Sequence, residues 1–106
     1  MTLGNMLPPI HPGEILRELF LEPLGMSPYA LARNLHIPRT RIERLVAEKV
    51  GISADTALRL AKYFNTTPHL WFNMQASYDL KIQAAAIESE LASIEKLKQP
   101  DALEAA

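Results

Sequence analysis

The chain has 106 residues, 48% of them hydrophobic, which is enough for one domain with a small core. It has no cysteine, which excludes disulfides, thiolate zinc sites and a thiol nucleophile and is typical of the reducing cytoplasm, where we expect the protein to work. The net charge is only −1, the first residues lack the pattern of a signal peptide, and no apolar run approaches the roughly 18 residues of a membrane span.

The first predicted element is a helix over residues 12–22. Pro12 suits a first helical turn, and Pro23 and Gly25 are expected to stop the helix. We place His11 at the entrance of this helix. Its inward face is expected to contain Ile15, Leu16, Leu19 and Phe20.

Two short helices follow, and the second of them starts only three residues after the first one ends. Ser27 is a suitable N-cap and Pro28 a suitable first residue for the second helix, which extends to Leu35. Pro38 starts the third helix, which runs to about Ala47. The side chains expected to face inward are Leu31, Ala32 and Leu35 in the second helix and Ile42, Leu45 and Val46 in the third.

Two further helices complete the predicted set. Ser53 caps the fourth, "ADTALRLAKYF", and Thr67 caps the fifth, which we expect to continue to near Lys98, before Pro100 forbids more. The fourth helix is expected to bury Ala57, Leu58, Leu60, Ala61 and Phe64. No segment alternates as a strand would, so the fold class is all-α.

Positive charge is concentrated in residues 27–50, which hold five basic and two acidic side chains, a net charge of +3. On a helical wheel, the side of the third helix opposite its apolar face carries Thr40, Glu43 and Arg44, with Arg39 and Arg41 on the flanks. Such a basic island in a chain that is otherwise neutral or acidic indicates a local anionic partner. A merely solvated amphipathic helix is the alternative.

The second and third helices are joined by "HI", which is too short for parallel packing, so they must cross steeply. This is the geometry of a helix-turn-helix, whose second helix enters the major groove of DNA. Ala32 is small where the helices approach, Ile37 is apolar in the turn, and His36 stands where φ > 0 is expected. Arginine can bridge guanine O6 and N7 or grip a phosphate, and Thr40 can contact a phosphate or a thymine methyl.

With these residues in view, the sequence resembles the HigA antitoxin family, a branch of the lambda-repressor-like (XRE) helix-turn-helix proteins that includes the VapI-like antitoxins. The resemblance covers about residues 8–82 and is carried by "IHPGEILRELFLEPLGMS", "YALARNLHIPRTRI", "GISADTALRLAKYF" and "TTPHLWFNMQASYDL". It implies a five-helix DNA-binding domain with an extended C-terminal helix. It also implies an antitoxin that neutralises a HigB-type, RelE-like mRNA-cleaving toxin and, as a dimer, binds the operator of its own operon.

Matched onto the family motif, Arg39, Thr40 and Arg44 should face bases or nearby phosphates, with Arg33 and Arg41 on phosphates. The full set of predicted DNA-binding residues is Ser27, Arg33, Pro38, Arg39, Thr40, Arg41, Glu43, Arg44 and Lys49. Two rival functions stay open: a helix-turn-helix regulator without a toxin partner, and a toxin-binding protein whose DNA binding has weakened.

The chain departs from the family pattern in places that keep the second rival open. Pro28 stands where relatives often have Gln, and "AEKVGI" replaces a basic "RGKRGI"-like segment, with Ala47, Glu48 and Val50 at the changed positions. Glu43 lies on the predicted DNA face, where it would accept from a cytosine N4 or repel phosphate. Each lost phosphate contact weakens DNA binding and flattens the salt dependence of the affinity by about one unit of slope. We therefore predict weaker DNA affinity than in a typical relative, or an altered operator.

Beyond Tyr78 the apolar residues change to a spacing of 4, 3, 4, 3, the a/d seam of a heptad repeat. The seam consists of Leu80, Ala84, Ile87, Leu91 and Ile94. A single helix would leave this stripe in water, so it should meet a second copy of the chain, the toxin or its own domain, and we favour a homodimer. The predicted parts are thus a helix-turn-helix domain (1–80), a helical oligomerisation arm (81–98) and a flexible tail (99–106).

The remaining candidate sites are interpreted as structural. Trp71, Met74 and Tyr78 recur at helical spacing, with Phe72 adjacent, and core packing is favoured over a partner-binding stripe. His11, His36 and His69 have no partners in ligand spacing, so no metal is expected. No cofactor motif or catalytic set can be assembled, and an enzyme is not expected.

Overall fold

The computed structural model describes residues 8–98, and within that range it is helical with no strand. Helix α1 consists of Pro12–Ile15, a π-helical segment Leu16–Leu21 and a last turn Glu22–Leu24. The helices that follow are α2 (Pro28–Leu35), α3 (Arg39–Val46), α4 (Ala54–Phe64), α5 (Pro68–Ala86) and α6 (Glu88–Ser93). None of the helices in this range combines the length and the apolar character needed to cross a bilayer.

The helix starts follow from local side-chain chemistry, as predicted. The Oγ of Ser27 accepts from Ala30 N at 3.0 Å, and the Oγ of Ser53 accepts from Thr56 N at 3.2 Å. Thr67 does the same for α5. Each hydroxyl satisfies a backbone N–H that lacks a partner inside its helix.

The helix ends share left-handed residues. Positive φ occurs at Gly25, His36, Glu48 and Asn65. After each of them an N–H bonds back to a carbonyl five residues earlier, as Ile37 N does to Ala32 O at 3.0 Å. The expected positive φ at His36 is confirmed at 60°. The equivalent conformation at Glu48 was not predicted.

The core lies where α1 to α5 converge. Leu16, Leu31, Ile42, Leu45, Leu60 and Trp71 are each almost fully buried. Trp71 lies 4.9 Å from Phe20 between ring centroids, and its Nε1 donates to Thr66 Oγ1 at 2.8 Å. Core packing of this tryptophan is confirmed, although the neighbouring Phe72 is about half exposed.

Two predicted inward residues are wrong, each for a geometric reason. Leu19 is 65% exposed because the π-helical turn has more residues per turn, which rotates Leu21 into the core in its place. Leu58 is 59% exposed because it lies 100° from Ala57, at the edge of the buried face of α4. Helix α1 also passes Pro23 by one residue, since the widened turn relieves the contact between the proline ring and the preceding turn.

The predicted continuous helix to Lys98 is wrong. Helix α5 ends at Ala86, Ile87 adopts φ −116° and ψ 25°, and residues 94–98 are not helical. Apart from half-buried Lys81 and Ile87, residues 81–98 are exposed, so the helix of the arm has little of the tertiary support that short helices need. The hydroxyl of Ser93 also bonds to Glu90 O, competing with the backbone pattern. The predicted tail, 99–106, lies outside the described residues.

Helix α1 approaches α3 at a glycine. A Cβ placed on Gly13 would overlap the carbonyl oxygen of Leu45 near the end of α3. The N–H of Gly13 donates to Nδ1 of buried His11 at 2.9 Å, so this histidine caps α1 as expected of its position. The glycine therefore sets how closely α1 supports α3.

We predict that Gly13→Ala lowers the free energy of unfolding by about 3 kcal/mol, because the added methyl overlaps backbone that cannot move freely. Gly25→Ala is the matched control: it has open space around it and only a left-handed φ, so it should cost about 1 kcal/mol. Urea unfolding followed by circular dichroism measures both. An equal or smaller loss for Gly13→Ala would contradict this account of the α1–α3 contact.

Candidate nucleic-acid interface

Helices α2 and α3 form a two-helix unit whose inner side packs against the core of the domain. The turn at His36 and Ile37 reverses the chain, and Ile37 is half-buried between the helices. Ala32 is fully buried, as expected for the point of closest approach. Ile42 and Leu45 bury the inner side of α3, which leaves its other side free to contact a partner.

All nine side chains predicted to bind DNA are exposed. They belong to Ser27, Arg33, Pro38, Arg39, Thr40, Arg41, Glu43, Arg44 and Lys49. Most lie on α3 or at its ends, and Ser27 and Arg33 extend the same surface onto α2. Their contact with DNA remains a prediction. We call this surface the basic face.

The N-terminus of α3 adds a backbone contribution to the basic face. Pro38 occupies the cap position with no side-chain hydrogen bond, and Arg41 N donates to Pro38 O at 3.1 Å. The N–H groups of Arg39 and Thr40 precede the first bond of the helix. They point along the helix axis at its positive end, the orientation in which helices bind phosphate.

Arg39 and Glu43 interact within the basic face. Nε of Arg39 lies 3.6 Å from a carboxylate oxygen of Glu43. The guanidinium of Arg39 also lies 5.7 Å from the ring centroid of Tyr29, and that of Arg33 lies 5.8 Å from the same ring. Glu43, the acidic residue predicted to lie on this surface, thus forms an ion pair with a basic residue of the same surface.

A second ion-pair network joins α4 to both helices of the unit. Asp55 accepts from Arg41 at 2.5 Å and from Arg59 at 2.9 Å, and Arg59 also donates to Leu35 O at 2.8 Å. The hydrogen bond from Arg59, followed by that from Arg41, lowers the pKa of the Asp55 carboxyl. Arg41 is therefore tethered, which leaves it less free for phosphate than predicted.

The C-terminus of α3 is held by a residue that sequence reasoning missed. Arg17 of α1 donates to the carbonyl of Val46 and lies 3.3 Å from the carboxylate of Glu48. Its guanidinium caps the negative end of the α3 dipole, and Glu48 faces this arginine. The separation of 29 residues between Arg17 and Val46 gives no local signal in the sequence.

Gln75 was also missed, and it orders the loop after α3. Its Oε1 accepts from Ile52 N at 2.7 Å, and its Nε2 donates to Asp79 at 2.9 Å. The amide lies against Gly51, where a side chain would collide with it. The glutamine belongs to the family-like segment "TTPHLWFNMQASYDL", which was the one available signal.

The predicted dimerisation seam is exposed but not straight. Leu80, Ala84, Leu91 and Ile94 are exposed, and Ile87 is half-buried. Because the helix breaks at Ile87, the five residues do not form one continuous stripe on one helix. Within residues 8–98 no group of three or more acidic or histidine side chains is placed to hold a metal ion.

Comparisons with known proteins agree with this geometry. Residues 16–72 match the helix-turn-helix family. The chain is 55% identical to virulence-associated protein I of Dichelobacter nodosus over 78 residues, 74% of this chain and 72% of that protein. It is 36% identical to antitoxin HigA-1 of Vibrio cholerae over 72 residues, 68% of either chain.

One solved structure decides the group within the family. The structure of Pseudomonas aeruginosa antitoxin HigA with the higBA promoter matches with a TM-score of 0.82 at 45% identity, covering 85% of this chain and 99% of that one. This chain belongs to the HigA group of the helix-turn-helix family. Within the helix-turn-helix, α2 is the first helix and α3 is the second.

The strain expected from the positive φ at Glu48 can be measured by substitution. Glu48→Gly and Glu48→Ala both remove the carboxylate beside Arg17, but only glycine adopts φ 63° without strain. We expect the glycine variant to be more stable than the alanine variant by about 1 kcal/mol. Urea unfolding measures the difference.

Ala47 supplies the matched control, because its φ is −84°. There, glycine should be less stable than the alanine already present by about 0.5–1 kcal/mol. The same sign at both positions would show that the left-handed φ at Glu48 is not a source of strain.

Proposed function

We propose that this chain is the antitoxin of a HigB–HigA type toxin–antitoxin pair, working in the cytoplasm. It binds a HigB-like, mRNA-cleaving toxin and, as a homodimer, binds operator DNA to repress its own operon. The observation that carries the DNA part is the basic face of α3, exposed while Ile42 and Leu45 fix the opposite side in the core. The solved HigA relative, which has the same fold, was determined with its promoter.

The residues have distinct proposed roles in the operator complex. Arg39 and Arg44 reach base edges, and Thr40 contacts a phosphate or a thymine methyl. Arg33 and Lys49 contact phosphates on either side, with the N-terminus of α3. Arg44 and Lys49 make no ion pair with any residue from 8 to 98, so no internal bond must break before they bind.

The antitoxin part rests on the relatives that carry that name, HigA of Pseudomonas aeruginosa and HigA-1 of Vibrio cholerae. It predicts a short toxin gene beside the gene for this chain. The identity of the neighbouring gene separates an antitoxin from a regulator of the same fold that has no toxin.

We predict that Arg39→Ala and Arg44→Ala each weaken binding to the promoter of this chain's own operon by about 5- to 150-fold. This is the range for loss of one good base contact. Lys62→Ala removes the same charge from the last turn of α4, outside the nine residues of the basic face, and should leave binding within about twofold. Fluorescence anisotropy with labelled duplex measures all three.

The same variants test the rival in which only toxin binding survives. Pull-down of the neighbouring toxin should be unchanged in Arg39→Ala and Arg44→Ala. If neither variant changes promoter binding, or if Lys62→Ala weakens it as much, the basic face is not the DNA-binding surface.

The proposed homodimer rests on the exposed apolar side chains of the arm and of the helix that leads into it. Its apolar side chains are exposed, Leu80 by 71% and Ile94 by 67%, and a paired arm would cover them. A dimer presents two recognition helices, which read half-sites about 34 Å apart, whereas one short helix contributes little specificity.

Truncation after Asp79 should convert the dimer into a monomer in sedimentation equilibrium. Leu91→Asp in the full chain is the milder test, since it places a charge on an exposed apolar residue of the arm without shortening the arm. It should weaken the dimer without changing the helical circular dichroism of the domain. A dimer of unchanged mass after truncation would exclude the arm as its cause.

A further inference from the structure

We infer that Tyr29 and Glu43 are positioning residues that hold the Arg39 guanidinium ready to read one base pair. The inference rests on the proposed operator binding and adds a source of sequence discrimination to it. It starts from three side chains that lie together on the basic face although they come from both helices of the unit.

Tyr29 supplies an aromatic surface in the first turn of α2. Its side chain is 52% exposed, so it is not a core residue. The guanidinium of Arg39 lies 5.7 Å from the ring centroid, within the range of a cation–π interaction. The ring therefore gives the arginine of α3 a fixed surface on α2.

Glu43 restrains the same guanidinium from another direction, through its inner nitrogen. The carboxylate lies 3.6 Å from Nε of Arg39, one helical turn away. Within the part of the chain that the structure describes, neither terminal nitrogen of Arg39 has a hydrogen-bond partner. These two nitrogens are the ones that bridge O6 and N7 of guanine.

The benefit is entropic. A long side chain loses about 0.5–1.5 kcal/mol of rotamer freedom when an interface immobilises it. If Tyr29 and Glu43 have already restricted Arg39, less is lost on binding the correct base pair. The gain applies where Arg39 makes its base contact and is absent on DNA that offers no acceptor there.

The inference differs from two simpler roles for Glu43. A carboxylate that only repels phosphate would weaken binding to every sequence equally. A carboxylate that accepts from a cytosine N4 would specify its own base pair and would not depend on Tyr29. A shared effect of Tyr29 and Glu43 at the base pair that Arg39 reads belongs only to the positioning role.

The test uses full-length protein and duplexes of its own promoter in which one base pair is changed at a time. Arg39→Ala first locates the base pair at which discrimination is lost. Tyr29→Leu and Glu43→Gln should each lower discrimination at that same base pair by about twofold to fivefold, because each removes one of the two exposed interactions that restrict the Arg39 side chain. Tyr29→Phe keeps the ring and should retain wild-type discrimination.

The outcomes separate this inference from the proposed function. If wild-type protein does not bind its promoter, both fail. If Arg39→Ala loses discrimination while Tyr29→Leu and Glu43→Gln keep it, the positioning role alone is overturned. It is likewise overturned if Glu43→Gln raises affinity for all duplexes equally, or if Tyr29→Phe behaves like Tyr29→Leu.

Discussion

The burial of Ile42 and Leu45 on one side of α3 is the constraint on which the remaining structure depends. Helix α3 has only eight residues, and an isolated helix of that length is not stable in water. Its conformation must come from packing, and packing on one side is what exposes the opposite side. Gly13 and Arg17 of α1 add backbone-level support at the C-terminal end. The rest of the domain therefore stabilises α3 and leaves one side of this helix exposed.

The charged side chains are also distributed around α3. The chain is nearly neutral, yet its basic side chains gather around α3 and the nearby acidic ones are paired with particular arginines: Glu43 with Arg39, Asp55 with Arg41 and Glu48 with Arg17. These pairs are exposed, so they contribute little to stability. They place the guanidinium groups of these arginines beside particular carboxylates, whereas Arg44 and Lys49 make no ion pair within residues 8–98.

Sequence reasoning predicted what is decided locally. Helix starts follow from serine and threonine caps, and the positive φ at His36 follows from the short turn beside it. Contacts between residues far apart in the sequence, and features set by how a whole helix packs, were not predicted. The π-helical turn that exposes Leu19 reflects the fit of α1 against the core, and the break at Ile87 reflects the lack of packing along the arm. The contacts of Arg17 and Gln75 span 29 and 23 residues.

The most direct measurement of the central claim is amide chemical-shift mapping of the full chain titrated with a duplex of its own promoter. We expect the largest changes at residues 27, 29, 39–44 and 48–50, while amides of the buried side of α5 stay in place. Changes confined to α1 or to the arm, with 39–44 unmoved, would contradict the claim that α3 is presented to DNA.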